Sequence, residues 1–343
     1  MSVFRSFRFW IPFLIIVFMI IASFLVPTVF PDFEEEGPSY LKNEDGRIVA
    51  APPYSPAEMP PLGSDKLGRD MFLLLLSGAK YTLISALIIA FLRMIGGFIF
   101  GVLFAFLPRW IRLLIRGIGD TFNFIPLAIV VFVLLIPLQG AFDSGALPSF
   151  RFLVIQIIVI ALVVIPSLGM YLGEEMNEYM KNDFVTASRQ MGASSVHIIK
   201  KHIWSQFNRY GIVMFSEQLT QTLLLLIQLG ILYICLGGLI TVQFGIMENL
   251  PVYFSNTNEW AATMSINIKQ VFLKPWLALN PLLFFAISIY CVNEISGVLR
   301  RVLIEGDVPK RNKEKGVCTN PNATSTTTIE PDFTFTNHSV KEY

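Results

Sequence analysis

Six stretches of roughly 20 mostly apolar residues, each long enough to cross the hydrocarbon layer of a bilayer, constrain this chain more than any other feature. They run over Phe9–Val29, Thr82–Phe106, Gly117–Leu138, Phe152–Leu172, Gly211–Leu236 and Leu279–Leu299. Backbone N–H and C=O groups at that depth find no water, so each stretch must bond to itself as a helix. The expected fold class is therefore an all-α polytopic membrane protein with about six transmembrane helices. A composition of 54% hydrophobic and 15% charged residues excludes a soluble globular enzyme.

Charge next to the spans sets a sidedness. Arg5 and Arg8 precede the first stretch; Arg109, Arg112 and Arg116 lie between the second and third; Lys181, Arg189, Lys200 and Lys201 lie between the fourth and fifth. Arg300, Arg301, Lys310, Arg311, Lys313 and Lys315 follow the last. With six crossings all of these fall on one side, which places both termini in the cytoplasm. The opposite segment between the first two stretches carries Asp32, Glu34, Glu35, Glu36, Glu44 and Asp45. Ala22-Ser23-Phe24 offers no signal-peptidase site, so the first stretch reads as a retained anchor. Cys235, Cys291 and Cys318 are odd in number, two of them in apolar surroundings, and imply no disulfide framework.

The sequence lacks the signatures of soluble catalysis. It has no G-x-x-x-x-G-K-[ST] phosphate loop, no H-E-x-x-H, no C-x-x-C and no G-x-S-x-G elbow. No cofactor, metal or nucleic-acid partner is expected for this chain, and membrane lipid is its solvent.

Polar residues inside the apolar stretches are the candidate functional groups. Glu217, Gln221, Leu224 and Gln228 recur at helical spacing, so three polar side chains share one stripe. Either they border a substrate path or they bond neighbouring helices, a contact worth about 0.6 kcal/mol on average. Arg93 lies mid-span, where an arginine costs about 2.5–3.5 kcal/mol on insertion scales. Glu217 is its expected partner, despite an axial offset of roughly 10 Å by helix rise. Gly97-x-x-x-Gly101 offers a close-packing face. Pro126, Pro137 and Pro166 are expected to kink or end helices, and Trp260 and Trp276 to anchor the outer loop at the interface.

Between the fourth and fifth stretches lies a short polar helix, Asn182 to Ser195, followed by Val196-His197-Ile198-Ile199-Lys200-Lys201-His202-Ile203. It contains small residues, Thr186, Ala187 and Ser188, and Gly192 where the backbone must bend. Lys200, Lys201 and His202 are placed to hold its return at the membrane surface. Taken by itself, such a segment is either a plain amphipathic connector or the seat of a soluble partner.

These blocks resemble permease subunits of binding-protein-dependent ABC importers in their dipeptide, oligopeptide and nickel branch. The polar helix is similar to the family's "EAA" loop, with Thr186-Ala187-Ser188 in place of Glu-Ala-Ala and Ile203-Trp204 where Leu-Pro is usual. Gly63, Asp65, Gly68, Arg69 and Asp70 match its GTDxxGRD block, with Ser64 in place of Thr, and Gly78 and Leu83 match the helix start after it, where Lys80 replaces Arg. Arg116, Asp120, Pro126 and Leu127 resemble its RxxD…P pattern, with one residue more between Arg116 and Asp120, Trp260, Trp276 and Pro281 its outer loop, and Asn293 with Leu299-Arg300 its ending. The resemblance spans Phe9 to Leu303.

It implies a type I importer (MetI-like) transmembrane domain in a bacterial plasma membrane. Implied partners are a second homologous permease, two ATPase subunits holding ATP and Mg, and an extracellular substrate-binding (lipo)protein. Thr186, Ala187, Ser188, Gly192 and His202 would form the ATPase-coupling loop, and Arg93, Glu217, Gln221 and Gln228 the translocation path. Peptides are the implied cargo; the alternatives are nickel, or a non-transporting regulatory protein derived from such a permease. The expected organisation is an anchor helix over 1–30, an extracellular segment over 31–77 and the transmembrane domain over 78–303. The latter includes the coupling loop at 181–205 and an outer loop at 237–278. A polar tail over 304–343 completes the chain, expected to be disordered, so that its sequons at Asn322 and Asn337 go unused.

Overall fold

A computed structural model describes residues 7–34, 41–42, 48–122, 124–242 and 252–303. The tail, Arg5 and most of the acidic outer residues lie outside the described residues.

Ten helices carry the fold among the described residues: α1 (Phe7–Val29), α2 (Met71–Ala105), α3 (Arg109–Phe122), α4 (Leu127–Asp143), α5 (Ser149–Tyr179), α6 (Asp183–Gln190), α7 (Ser195–Ile198), α8 (Trp204–Ile231), α9 (Trp260–Asn267) and α10 (Trp276–Leu303). A π-helical turn, Ile199–Ile203, joins α7 to α8. Two small antiparallel hairpins, β1 (Leu41–Lys42) with β2 (Ile48–Ala50) and β3 (Leu239–Val242) with β4 (Val252–Ser255), sit in the connections on the side opposite α6.

Among the described residues five helices are long and apolar enough to cross a membrane: Phe7–Val29, Met71–Ala105, Ser149–Tyr179, Tyr210–Ile231 and Trp276–Leu303. The third expected stretch, Gly117–Leu138, is not one helix. It breaks before Pro126, which lacks an N–H and drives the preceding residue out of the α region. The charged part becomes α3 and the apolar part the shorter α4, Leu127–Asp143. Pro137 and Pro166 lie inside α4 and α5 rather than at their ends. Helix α2 starts 11 residues before the expected Thr82, at Met71, because Asp70 caps it by accepting from the backbone N–H groups of Phe72 and Leu73.

The centre of the bundle is α2 packed on α5. A Cβ on Gly97 would lie 2.8 Å from Leu168 Cδ2, and one on Gly101 3.0 Å from Leu172 Cβ. Gly169 and Gly173 of α5 reciprocate against Phe100 and Phe104. The small-residue face expected on α2 thus meets a second one on α5 that the sequence reading had not singled out. Helix α1 packs on α2, with Ser23 Oγ donating to Ser77 O at 2.6 Å and accepting from Lys80 N at 2.9 Å.

On the far side of the bundle from α6, the segment before α9 folds inward instead of lining the interface. Trp260 is fully buried, donates from Nε1 to Leu75 O at 2.7 Å and packs edge-on against Phe284 and Phe285. This overturns the interface-anchor expectation for Trp260. The insertion is possible because Gly78 has no side chain: a Cβ there would overlap the backbone carbonyl of Asn258. Glu259 follows, fully buried at the N-cap of α9, accepting from Leu236 N at 3.0 Å and Ala261 N at 3.3 Å. Burial pushes its carboxyl up to about 7, against the amide and Thr82 hydrogen bonds that favour the ionised form.

Gly78→Ala should lower the unfolding midpoint in detergent by an amount equivalent to about 1–3 kcal/mol, because backbone rather than a side-chain tip must move. Gly117→Ala, where a Cβ meets nothing within 4 Å, should be neutral or stabilising. For Glu259 the folded state holds its proton more tightly than the unfolded chain, whose value is near 4.5. Stability should therefore decline as pH rises from about 4.5 to about 7, by roughly 3 kcal/mol at most, and then level off. A pH series of unfolding midpoints should lose this slope in Glu259→Gln.

Candidate functional site

Two surfaces carry the residues singled out by sequence, and they adjoin. The first is the elbow formed by α6, α7 and the π turn. Asp183 in the first turn of α6 and Arg189 in the last complement the helix dipole. Val185, Ile198 and Ile203 are buried and join Met94, Ala105, Leu168, Leu172 and Met176 in one apolar cluster, so the elbow is pinned to α2 and α5. Thr186 and Ala187 face outward, Ser188 is half-buried, and the Thr186 hydroxyl donates to Asn182 O at 3.2 Å. Gly192 has φ +89° with open space around it, so backbone conformation rather than close approach demands glycine there. His202 is half-buried, its ring 5.7 Å from that of Phe184.

The elbow also presents apolar side chains that sequence reasoning had passed over. Met191 is 83% exposed, and Phe184, Val196 and Trp204 are each more than half exposed. Their neighbours Arg189, His197, Lys200 and Lys201 are exposed as well. Apolar residues between polar ones in a connector were legible as an outward face only once Val185, Ile198 and Ile203 were known to point in.

The second surface is one face of α8. Glu217, Gln221, Leu224 and Gln228 are all exposed on the subunit, while Gln218, Thr222, Leu225 and Leu229 on the other face are buried. From Glu217 to Gln228 the row extends roughly 16 Å by helix rise. Among the described residues neither Gln221 nor Gln228 bonds another helix of this subunit; Thr220 does so instead, through Asn293 of α10 at 3.1 Å.

At its elbow end the row opens on a cavity of about 640 Å³ between α5, α8 and the end of α10. Glu175, Tyr179, Asn182, Ile203 and Tyr210 line it. At its edge Glu217 accepts from Arg300 at 2.6 Å.

Arg93 stands apart from this row. It is fully buried, its Nη1 donating to Thr222 Oγ1 at 2.9 Å and its Nη2 to Ile160 O at 3.1 Å. It ties α2 to α5 and to the inward face of α8, so the expected pairing with Glu217 does not occur. Thr222 lies five residues beyond Glu217 on α8, which places it nearer the level of Arg93 and on the opposite face. Among the described residues no group of three or more His, Cys, Asp or Glu could hold a metal ion.

Because φ at Gly192 lies where a Cβ is strained, Gly192→Ala should loosen the elbow by about 1–2 kcal/mol. Faster backbone hydrogen exchange confined to residues 183–203 would show it, and unchanged exchange there would contradict the strain.

Residues 97–293 match the family model described as "Binding-protein-dependent transport system inner membrane component". The peptide transport system permease protein SapC of Escherichia coli O6:H1 is 25% identical over 246 residues, covering 71% of this chain and 73% of that protein. The putative peptide permease protein BruAb2_0794 of Brucella abortus is 26% identical over 238 residues, 69% of this chain and 70% of its own length. The di/tripeptide transport system permease protein DppC of Pseudomonas aeruginosa is 28% identical over 170 residues, 50% and 48% of the two chains. With five apolar spans and a family match over more than half its length, this chain belongs to the binding-protein-dependent transport system inner membrane components.

Proposed function

We propose that the chain is the permease subunit of an ATP-driven, binding-protein-dependent importer of peptides. The observation that carries the reading is the row Glu217, Gln221 and Gln228, which faces out of the subunit from a membrane-spanning helix and ends at a cavity behind the elbow. A polar row of this kind is costly against lipid and belongs against water or protein. A second, homologous permease facing α8 supplies that environment, with the path running between the two subunits.

The elbow then serves as the coupling element. Thr186, Ala187, Ser188 and Gly192 lie on or beside its outward side, and its inward side is locked to the two central spans. A soluble ATPase pressing on that outward side moves α5 and α8 together and so changes access to the path. Two ATPase subunits hold ATP and Mg, and an external binding protein delivers cargo. The basic residues around α3, the elbow and the end of α10 orient that end toward the cytoplasm. The peptide class is supported by the similarity to the peptide permeases SapC and DppC.

The test is uptake of a labelled oligopeptide by proteoliposomes holding the permease pair, the ATPases and the binding protein. Uptake should require ATP. Thr186→Arg or Ala187→Arg should lower it at least about tenfold, equivalent to about 1.4 kcal/mol of docking free energy, and release the ATPases on purification. The permease pair should remain assembled. ATP-independent uptake, or full uptake with both arginine variants, would sink the reading.

A further inference from the structure

Helix α3 has no place in the machinery described so far. It is 14 residues long, roughly 21 Å by helix rise, and too charged to span. Its sequence divides sharply around the axis. At about 100° per residue, Arg109, Arg112 and Arg116 fall within about 60° of arc, and Trp110, Leu113, Leu114 and Ile118 within about 140° on another side. Those four apolar side chains are between 55% and 70% exposed.

The helix touches the bundle through the other part of its surface. Gly119 approaches Met170 of α5 so closely that a Cβ would overlap its methyl group, and Arg116 Nη1 lies 3.0 Å from Glu174 Oε1. Arg116 is also 3.6 Å from Asp120. Arg109 and Arg112 have no carboxylate partner among the described residues. Contact with Glu174, five residues before the end of α5, fixes α3 at the elbow end of the bundle, where the spans leave the hydrocarbon.

We propose that α3 is an in-plane membrane-surface helix whose apolar face enters the bilayer boundary and whose Arg109 and Arg112 bind the phosphates of anionic phospholipids. An exposed apolar face beside unpaired arginines is the composition that lies in an interface rather than across it or in water. Guanidinium groups at headgroup depth take up phosphate as charge-assisted, bidentate hydrogen bonds. Arg116 is excluded from this role because Glu174 and Asp120 already neutralise it. The helix thereby fixes the link between α2 and α4 at a constant depth, while the elbow beside it is free to be driven by a partner.

The experiment uses the complete importer in nanodiscs containing either phosphatidylglycerol or phosphatidylcholine. A nitroxide is attached at Leu114→Cys, with Cys318→Ser removing the remaining tail thiol, since Cys235 and Cys291 are buried. The label should be accessible to oxygen and shielded from a water-soluble nickel chelate. In native mass spectrometry Arg109→Gln with Arg112→Gln should weaken phosphatidylglycerol retention by roughly fivefold for each arginine removed. Arg109→Lys with Arg112→Lys should keep most of the retention, which separates lost charge from lost folding. A label open to the nickel chelate overturns the proposal by putting α3 in water. A label shielded from both quenchers overturns it in favour of a protein partner, and unchanged lipid retention in the glutamine variant overturns the arginine assignment.

Discussion

The close approach of α2 and α5 sets the position of everything around it. In a bilayer, lipid tails are as apolar as leucine, so helices associate through packing and polar contacts rather than through removal of apolar area from water. Gly97 and Gly101 on one helix and Gly169 and Gly173 on the other bring two backbones together and let Leu168, Leu172, Phe100 and Phe104 fill the facing notches. Arg93 then reaches from this pair to Thr222 and to Ile160 O, fastening α8 by its inward face. With that face fixed, the opposite one carries Gln221 and Gln228 without a bond to another helix among the described residues, while Glu217 pairs with Arg300 at the cavity end. The costly mid-span charge and the exposed polar row thus have separate physical tasks, although both looked alike as polar residues in apolar stretches.

The block from Gly63 to Asp70 is scaffolding of the same kind. Asp65 accepts from the amides of Leu67 and Arg69 and pairs with the Arg69 guanidinium at 2.7 Å, while Asp70 caps α2. Lys66 donates to Ile266 O, Lys274 to Pro53 O and Asn280 to Leu62 O. Side chains aimed at distant backbone carbonyls hold the segment before α2 against α9 and α10. Lys66 lies partly buried, and desolvation pulls its ammonium below the usual lysine range. The block therefore supports the end of the central pair remote from α6; none of these contacts requires cargo.

Much of this was legible in the sequence because the bilayer restricts the answer. Apolar length marked the spans, small-residue spacing marked one side of the α2–α5 contact, and the period of Glu217, Gln221 and Gln228 marked a single stripe. Failures came where a second segment, remote in sequence, decided the outcome. Trp260 in a polar-flanked loop has the composition of an interface anchor, and only the notch at Gly78, some 180 residues earlier, turns it inward. Charge alone points Arg93 to a carboxylate, while in the structure its two terminal nitrogens donate to a hydroxyl and a carbonyl. The break at Pro126 was different in kind: its cause was in the sequence, but apolar length outweighed the local rule.

The elbow shows how a departure from a family pattern can be read through magnitudes. Where the family has glutamate, this chain has Thr186, exposed and bonded only to its own helix. An exposed ion pair contributes about 0–1 kcal/mol, whereas burying one methionine side chain contributes about 1.5–3 kcal/mol. In the proposed docking, Met191, Val196 and Trp204 offer the larger gain, and Arg189, Lys200 and Lys201 supply charge of the sign opposite to the missing carboxylate. In the same proposal, transmission of motion depends on neither. It depends on Val185, Ile198 and Ile203 being seated in the cluster with Leu168, Leu172 and Met176. A force applied to the outward side by the proposed partner would be carried to α5 through these packed side chains, whichever chemistry holds that partner there.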